Sequence, residues 1–434
     1  MQIRSVFIAI FCLISLSSFS ATDLDRVVEF ELRNGMKFLL LPRGEAPIFT
    51  SYIRFRVGGM DEEKGKTGLA HFVEHMAFKG TESLDEKGLV QLIEREGGKE
   101  FNATTSRDMT SYMVSFPSDK LRFWAEIESQ RIFHPVFRDF DRERNVILEE
   151  RRMRVDNNPH GRLAEEFVEK AFADTPFEWP VLGYPEDLKR LTLDDLRSFW
   201  ESHYHPANAV GVIVGKFSLE EAKKILQETF GKIPSRPLQK ETVFKKHAFE
   251  KGLSFEVEGG NGSRIQIGYL KPPLPDRDDY VFDLIHQILG EGRGSRLYRS
   301  LILDEKVASE VEASTQFPGN RGPNLFFVEI EPLTGTSPEK ALQLFDEAMK
   351  NFCATGPTEQ EVQRAINRLL VEMVWGLKTN EDLAWRLSFF EIAAGDWQYL
   401  KTYTDVIQGI TREEIVRVSQ KYLCSPPRIV GIMR

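Results

Sequence analysis

Positive charge, cysteine and histidine are all scarce in this 434-residue chain. Lys and Arg number 57 against 66 Asp and Glu, a formal charge of −9. That balance argues against nonspecific binding to nucleic acid and is weakly suited to neutral or basic peptides. Beyond the first twenty residues no apolar run is long enough to cross a bilayer. The early run has the marks of an export signal: Arg4 as a short positive region, an apolar stretch from Val6 to Leu16, and small residues at Ser18 and Ser20 before a cleavage point. The alternative is an uncleaved anchor, for which the stretch is short. Residues 1–20 are therefore expected to be a signal peptide, with the rest periplasmic or secreted. Of three cysteines, Cys12 leaves with that segment, and Cys353 and Cys424 remain. They suit a disulfide in an oxidising compartment or two buried thiols equally well. The length calls for two or three domains.

With only eight histidines present, their spacing is informative. His71-Phe72-Val73-Glu74-His75 sets two imidazoles four residues apart, on one helical face, with a carboxylate beside them. By chance the pattern occurs in roughly one such chain in a hundred. It is two thirds of a zinc site plus a general base, in the order H-x-x-E-H. Thr67 is the expected N-cap, Leu69, Phe72, Val73 and Met76 the apolar stripe, and Gly80 the stop. The bland alternative is two exposed histidines and a solvated glutamate on an ordinary amphipathic helix.

A catalytic zinc site takes three protein ligands and keeps one position for water. No cysteine and no further histidine is placed to be the third, which leaves a carboxylate. The segment Asp141–Glu150 reads as a helix. Glu143 and Glu150 are seven apart, about 20° off one face, and Glu149 points elsewhere. Val146 and Ile147 lie on the Glu150 side, which predicts that this face is buried. A buried glutamate needs a partner: a metal ion, or one of the arginines at 142, 144, 151, 152 and 154.

The run Gly68–Thr81 together with Glu143–Glu150 resembles the pitrilysin or insulinase-type zinc peptidases, the inverzincins. It is closest in pattern to the beta subunit of mitochondrial processing peptidase and its bacterial relatives. The resemblance extends over nearly the whole chain after the leader. It implies His71, His75 and Glu150 as ligands of Zn2+, Glu74 as the catalytic base and Glu143 as the supporting glutamate. It also implies that the strand at Asn102, Ala103 and Thr104 is an exposed edge that pairs with an extended peptide substrate. From the residues alone that strand can equally be an edge without a partner.

The chain also reads as two copies of one unit. Thr192-Leu193-Asp194-Asp195 opens a helix leading to the strand Val212–Gly215, and Thr411-Arg412-Glu413-Glu414 opens one leading to Ile429–Gly431. Asn34-Gly35 marks a hairpin. Ser51–Val57 alternates as a half-buried strand, with Arg264–Tyr269 as its counterpart. The predicted class is α+β: two similar domains, each a mainly antiparallel sheet with helices packed on it, facing each other as half-shells. The expected boundaries are 21–230 for the zinc-bearing half, 231–240 for a Pro-marked linker and 241–434 for a second half lacking H-x-x-E-H.

Zinc in such a site brings the pKa of water down toward ~7 and polarises a carbonyl, so Glu74 can pass a proton to the leaving amine. The family adds an arginine and a tyrosine that steady the peptide and the oxyanion. The matching positions here are Ile302 and Ser309, which cannot do so. The expectation is a zinc-dependent endopeptidase subunit in a heterodimer, with a homologous subunit supplying the missing pair. The alternative is a non-catalytic scaffold or binding subunit.

Overall fold

The computed structural model describes residues 21–238, 242, 244, 251–259 and 262–434. The expected signal segment lies outside the described residues, as does the end of the expected linker. Two sheets organise the rest. The first has six strands in the order β1-β2-β6-β3-β5-β4: β1 Val28–Glu31, β2 Lys37–Pro42, β3 Ile48–Phe55, β4 Lys99–Thr105, β5 Thr110–Pro117 and β6 Ala209–Gly215. The second has five in the order β7-β11-β8-β10-β9: β7 Leu253–Val257, β8 Arg264–Lys271, β9 Ala308–Phe317, β10 Asn324–Pro332 and β11 Ile429–Met433. Each is antiparallel except for one parallel pair, β2 with β6 and β7 with β11. The class is α+β, with two similar units built on separate sheets.

The internal repeat is visible in the caps. Thr192 Oγ1 accepts the Asp195 N–H at 3.1 Å, and Thr411 Oγ1 accepts the Glu414 N–H at 3.3 Å. Each begins an eleven-residue helix, Leu193–His203 and Arg412–Tyr422, that leads into β6 and β11. Serine and threonine favour this position because the side-chain oxygen satisfies a helix N–H that has no intrahelical partner.

The halves exchange helices. Asn380–Ala393, from the second half, packs on β3 and β6 of the first sheet, while Pro159–Ala171, from the first half, packs on β7, β8 and β11 of the second. Gly268 and Gly431 clear space for the latter: a Cβ there would come within 3.0 Å of the Phe167 ring and 3.1 Å of Leu163. Phe167 is fully buried against Phe255, Phe317 and Phe327. The exchange corrects one expectation. β3 is not half-buried: every residue from Phe49 to Phe55 is buried. One face meets its own helices, and the other joins a core that includes Tyr52, Val212, Leu383 and Leu387. Alternation cannot distinguish a solvated face from one covered by a distant segment. Cys353 and Cys424 form a disulfide, which settles the choice left open by the sequence.

Candidate metal centre

His71, Glu74 and His75 lie on the helix Leu69–Met76. Its start differs from expectation. The residue before it, Gly68, adopts φ +92°, and Thr67 does not cap the helix. Thr67 Oγ1 instead donates to Asp187 at 2.8 Å and accepts the Tyr184 N–H. The cap comes from Glu62, whose two carboxylate oxygens accept the Gly68 and Ala70 N–H groups, each at 2.7 Å. A carboxylate there meets two unpaired N–H groups and the positive end of the helix dipole. The helix also stops earlier than predicted, at Met76, with Gly80 (φ +96°) in the turn beyond.

The third element is the helix Phe140–Arg151. Its inward face carries Glu143, Ile147 and Glu150, while Glu149 points outward and pairs with Arg152. Val146 does not follow the expected face: it is 45 % exposed, and burial on this helix is confined to a narrower stripe through Ile147. Glu150 Oε2 lies 3.7 Å from His71 Nε2 and 3.6 Å from His75 Nε2. The three ligand atoms are all within 4.8 Å of one another, and among the described residues this is the one such group. These separations are too long for direct hydrogen bonds. They are close to the ~3.3 Å between ligand atoms around a tetrahedral zinc ion with 2.0–2.1 Å bonds. Two imidazoles and one carboxylate, with no fourth protein donor among the described residues, make the donor set of a catalytic zinc site. The residues present fit that ion.

A second layer orients the first. His75 Nδ1 lies 2.7 Å from Glu143 Oε1, and Lys79 Nζ reaches Glu143 Oε2 at 2.5 Å and Glu86 at 2.9 Å. A carboxylate on the far ring nitrogen fixes the tautomer and turns Nε2 toward the metal position. Arg154 Nη2 reaches the outer oxygen of Glu150 at 3.0 Å. His71 Nδ1 is buried and has no hydrogen-bond partner among the described residues. Burial, and then the charge of His75, hold His71 down to about 4. For His75, burial opposes the charged ring, but Glu143 and the nearby Glu150 outweigh it and push the pKa up to about 9. Burial raises the pKa of Glu74, while a hydrogen bond from Thr105 works the other way.

Thr105 joins the site to the predicted substrate strand. Its hydroxyl donates to Glu74 Oε2 at 2.5 Å, and it is the last residue of β4, which carries Asn102, Ala103 and Thr104. β4 is the outermost strand, paired only with β5. Asn102 and Thr104 are exposed. The Ala103 N–H is turned to the Asn102 side chain at 2.9 Å. Sequence reasoning missed the roles of Thr105, Glu62 and Lys79, whereas Arg154 is one of the arginines it offered as a partner of Glu150. Glu62 lies six residues before Gly68, outside the local capping pattern, and meets the helix start only because the intervening loop folds back. Thr105 and Lys79 likewise depend on contacts between segments.

Ile302 and Ser309, the positions that the sequence resemblance implies for an arginine and a tyrosine, are both occupied with the second half's own structure. Ile302 packs against the second half's core, and the Ser309 hydroxyl donates to the Glu331 carbonyl. Arg296 is held by Glu361 and the Gly356 carbonyl.

Comparison with known proteins gives the family. The family model described as insulinase (peptidase family M16) matches residues 42–184, and the one described as peptidase M16 inactive domain matches 190–369. The chain belongs to the M16 peptidase family. It is 26% identical over 399 residues to the zinc protease PqqE of Helicobacter pylori, covering 90% of this chain and 89% of that one. It is 21% identical to the uncharacterized zinc protease YmxG of Bacillus subtilis, covering 91% and 94%. The crystal structure of a protease from Helicobacter pylori superposes with a TM-score of 0.87 at 22% identity, over 94% of this chain and 99% of that one. The first half of the periplasmic protease PqqL from Escherichia coli gives 0.78 at 20%, over 94% and 92%.

Proposed function

We propose that this chain is a zinc-dependent endopeptidase subunit that hydrolyses extended peptides or unfolded protein segments. The observation that carries the reading is the link from the donor set to the free edge: His71, His75 and Glu150 converge, and Glu74 beside them is hydrogen-bonded to the last residue of β4. His71, His75 and Glu150 would hold the ion, which when bound supplies Lewis acidity toward a scissile carbonyl and acidifies water. Glu74 accepts a proton from the attacking water and delivers it to the leaving amine. Glu143 orients His75, and β4 aligns the peptide by main-chain pairing.

Three observations support export to the periplasm or beyond: the leader-like first twenty residues, the Cys353–Cys424 disulfide and the likeness to the periplasmic protease PqqL. No helix among the described residues is long and apolar enough to cross a membrane. Ile302 and Ser309 offer no cation or phenol, and Arg154 is engaged with Glu150. The missing oxyanion partners then come from a homologous subunit. Losing one such donor costs roughly a hundredfold or more in rate. The test is metal analysis of the purified chain beside cleavage of a quenched unstructured peptide. About one zinc per chain, weak chelator-sensitive cleavage and a large gain on adding the partner subunit are expected. A zinc-free chain defeats the peptidase reading, and full activity from the chain alone defeats the heterodimer.

A further inference from the structure

The second half contacts the loop that precedes the metal-bearing helix. Its Arg321, in the turn between β9 and β10, reaches into the first half and is nearly inaccessible, with 3% of its side chain exposed. The guanidinium donates to Asp61 Oδ2 at 3.0 Å, to Asp61 Oδ1 at 3.4 Å and to the Asp108 carbonyl at 2.9 Å. Asp61 has two other partners, the Gly58 N–H at 3.0 Å and the Thr242 hydroxyl at 3.4 Å. The turn at Gly58–Glu62 is further stitched to the turn that follows β4: the Gly59 and Met60 N–H groups donate to the Ser106 and Arg107 carbonyls. The next residue after Asp61 is Glu62, the bidentate cap of the Leu69–Met76 helix. That helix has eight residues, and His71 sits in its first turn.

The geometry points to Arg321 as a positioning residue for the metal centre: from the second half it fixes Asp61, and through Asp61 the Glu62 carboxylate that sets the start of the His71–His75 helix. The inference rests on the zinc reading above. A short helix gains little from its own hydrogen bonds, so the orientation of its first turn depends on what holds the end. Glu62 can accept both N–H groups only if its backbone is fixed, and the Arg321–Asp61 pair is the buried ionic contact on that turn. Arg321 touches neither the ligands nor the edge strand's outer side, so its effect must appear in how well the ligands are organised.

The test measures zinc affinity by competition with a chromophoric chelator, and the absorption spectrum of the cobalt(II)-loaded protein. Arg321→Ala and Asp61→Ala are each expected to weaken zinc about tenfold and to shift the cobalt bands, the scale of losing a helix cap or an outer-shell contact. Because both act through one contact, the double variant is no weaker than the worse single one. Glu62→Gln, which keeps the volume but turns one acceptor into a donor, gives at least the same loss. Arg428→Ala is the control: it breaks an ion pair with Asp346 inside the second half, so it lowers the melting temperature and leaves zinc affinity and the cobalt spectrum unchanged. Should Arg321→Ala fail to fold, Arg321→Gln and Asp61→Asn answer the same question. A folded Arg321 variant with affinity within about twofold of the unsubstituted chain, or losses that add in the double variant, overturns the inference. An unsubstituted chain that binds no zinc overturns the underlying reading instead.

Discussion

Glu143 meets His75 at Nδ1, His71 Nδ1 has no such partner among the described residues, and both Nε2 atoms face Glu150 at similar distances. Holding an ion and moving a proton are therefore separable. His71→Ala, His75→Ala and Glu150→Gln should each empty the site. Glu74→Gln should keep about one zinc and lose turnover, and Glu149→Gln should change neither. Metal analysis beside peptide hydrolysis checks all five. If Glu149→Gln loses zinc and Glu150→Gln does not, the assignment of the inward face is wrong. A second residue-scale consequence lies far from the metal. Asp283 is partly buried near Asp279, and the Tyr403 hydroxyl donates to it at 2.8 Å. Burial first, then the charge of Asp279, push its pKa up to about 7. A carboxyl whose folded pKa exceeds its unfolded value stabilises the fold at low pH, and that contribution is lost as pH rises from about 4 through about 7. Asp283→Asn keeps an acceptor for Tyr403. It should raise the melting temperature at pH 8 and change it little at pH 4. Equal shifts at both pH values would show that Asp283 ionises freely.

At the scale of single elements, β4 joins the candidate substrate edge to the base. Among the described residues its outer side is unpaired, and the Ala103 N–H donates to the neighbouring Asn102 side chain. Proline at position 103 removes that N–H on the outermost strand, where it is best tolerated. Ala103→Pro should fold, bind zinc normally and raise KM for extended peptides several-fold. Unchanged KM in the folded variant would remove β4 from substrate binding. The His71–His75 helix, by contrast, owes its placement to groups outside itself. Eight residues are too few for self-sufficiency, and Glu62, Thr67 and the close packing at Gly68 supply the constraint.

Across the whole molecule, the two halves are joined by exchange rather than by simple apposition. Each sheet carries a helix from the other half, and residues of both halves share one core. The disulfide ties the helix Pro338–Thr355 to the segment entering β11, across 71 residues of chain. Closing a loop of that length restricts the unfolded chain by roughly 4 kcal/mol in the chain-entropy model. Replacing both cysteines by serine should cost about 2–4 kcal/mol, read by denaturant titration. Reducing agent should bring the unsubstituted chain to the same value and leave the variant unmoved.

Local chemistry was legible in the sequence because its rules are short-ranged. The i, i+4 histidines, the seven-residue step from Glu143 to Glu150, the paired Thr192 and Thr411 caps and the α+β repeat all depend on spacing along one element. What only the tertiary structure decided depends on segments meeting. β3 is buried on both faces because a helix some 330 residues away covers it, as roughly measured by the separation of their sequence numbers. Thr67 is drawn away from capping by Asp187, and Val146 is left 45 % exposed beside the buried Ile147. Cys353 and Cys424 pair because the fold brings their Cα atoms to 5.6 Å. Periodicity states which residues share a face, but not what that face will meet. The partner of a face is set by the closure of long loops, which no local pattern encodes.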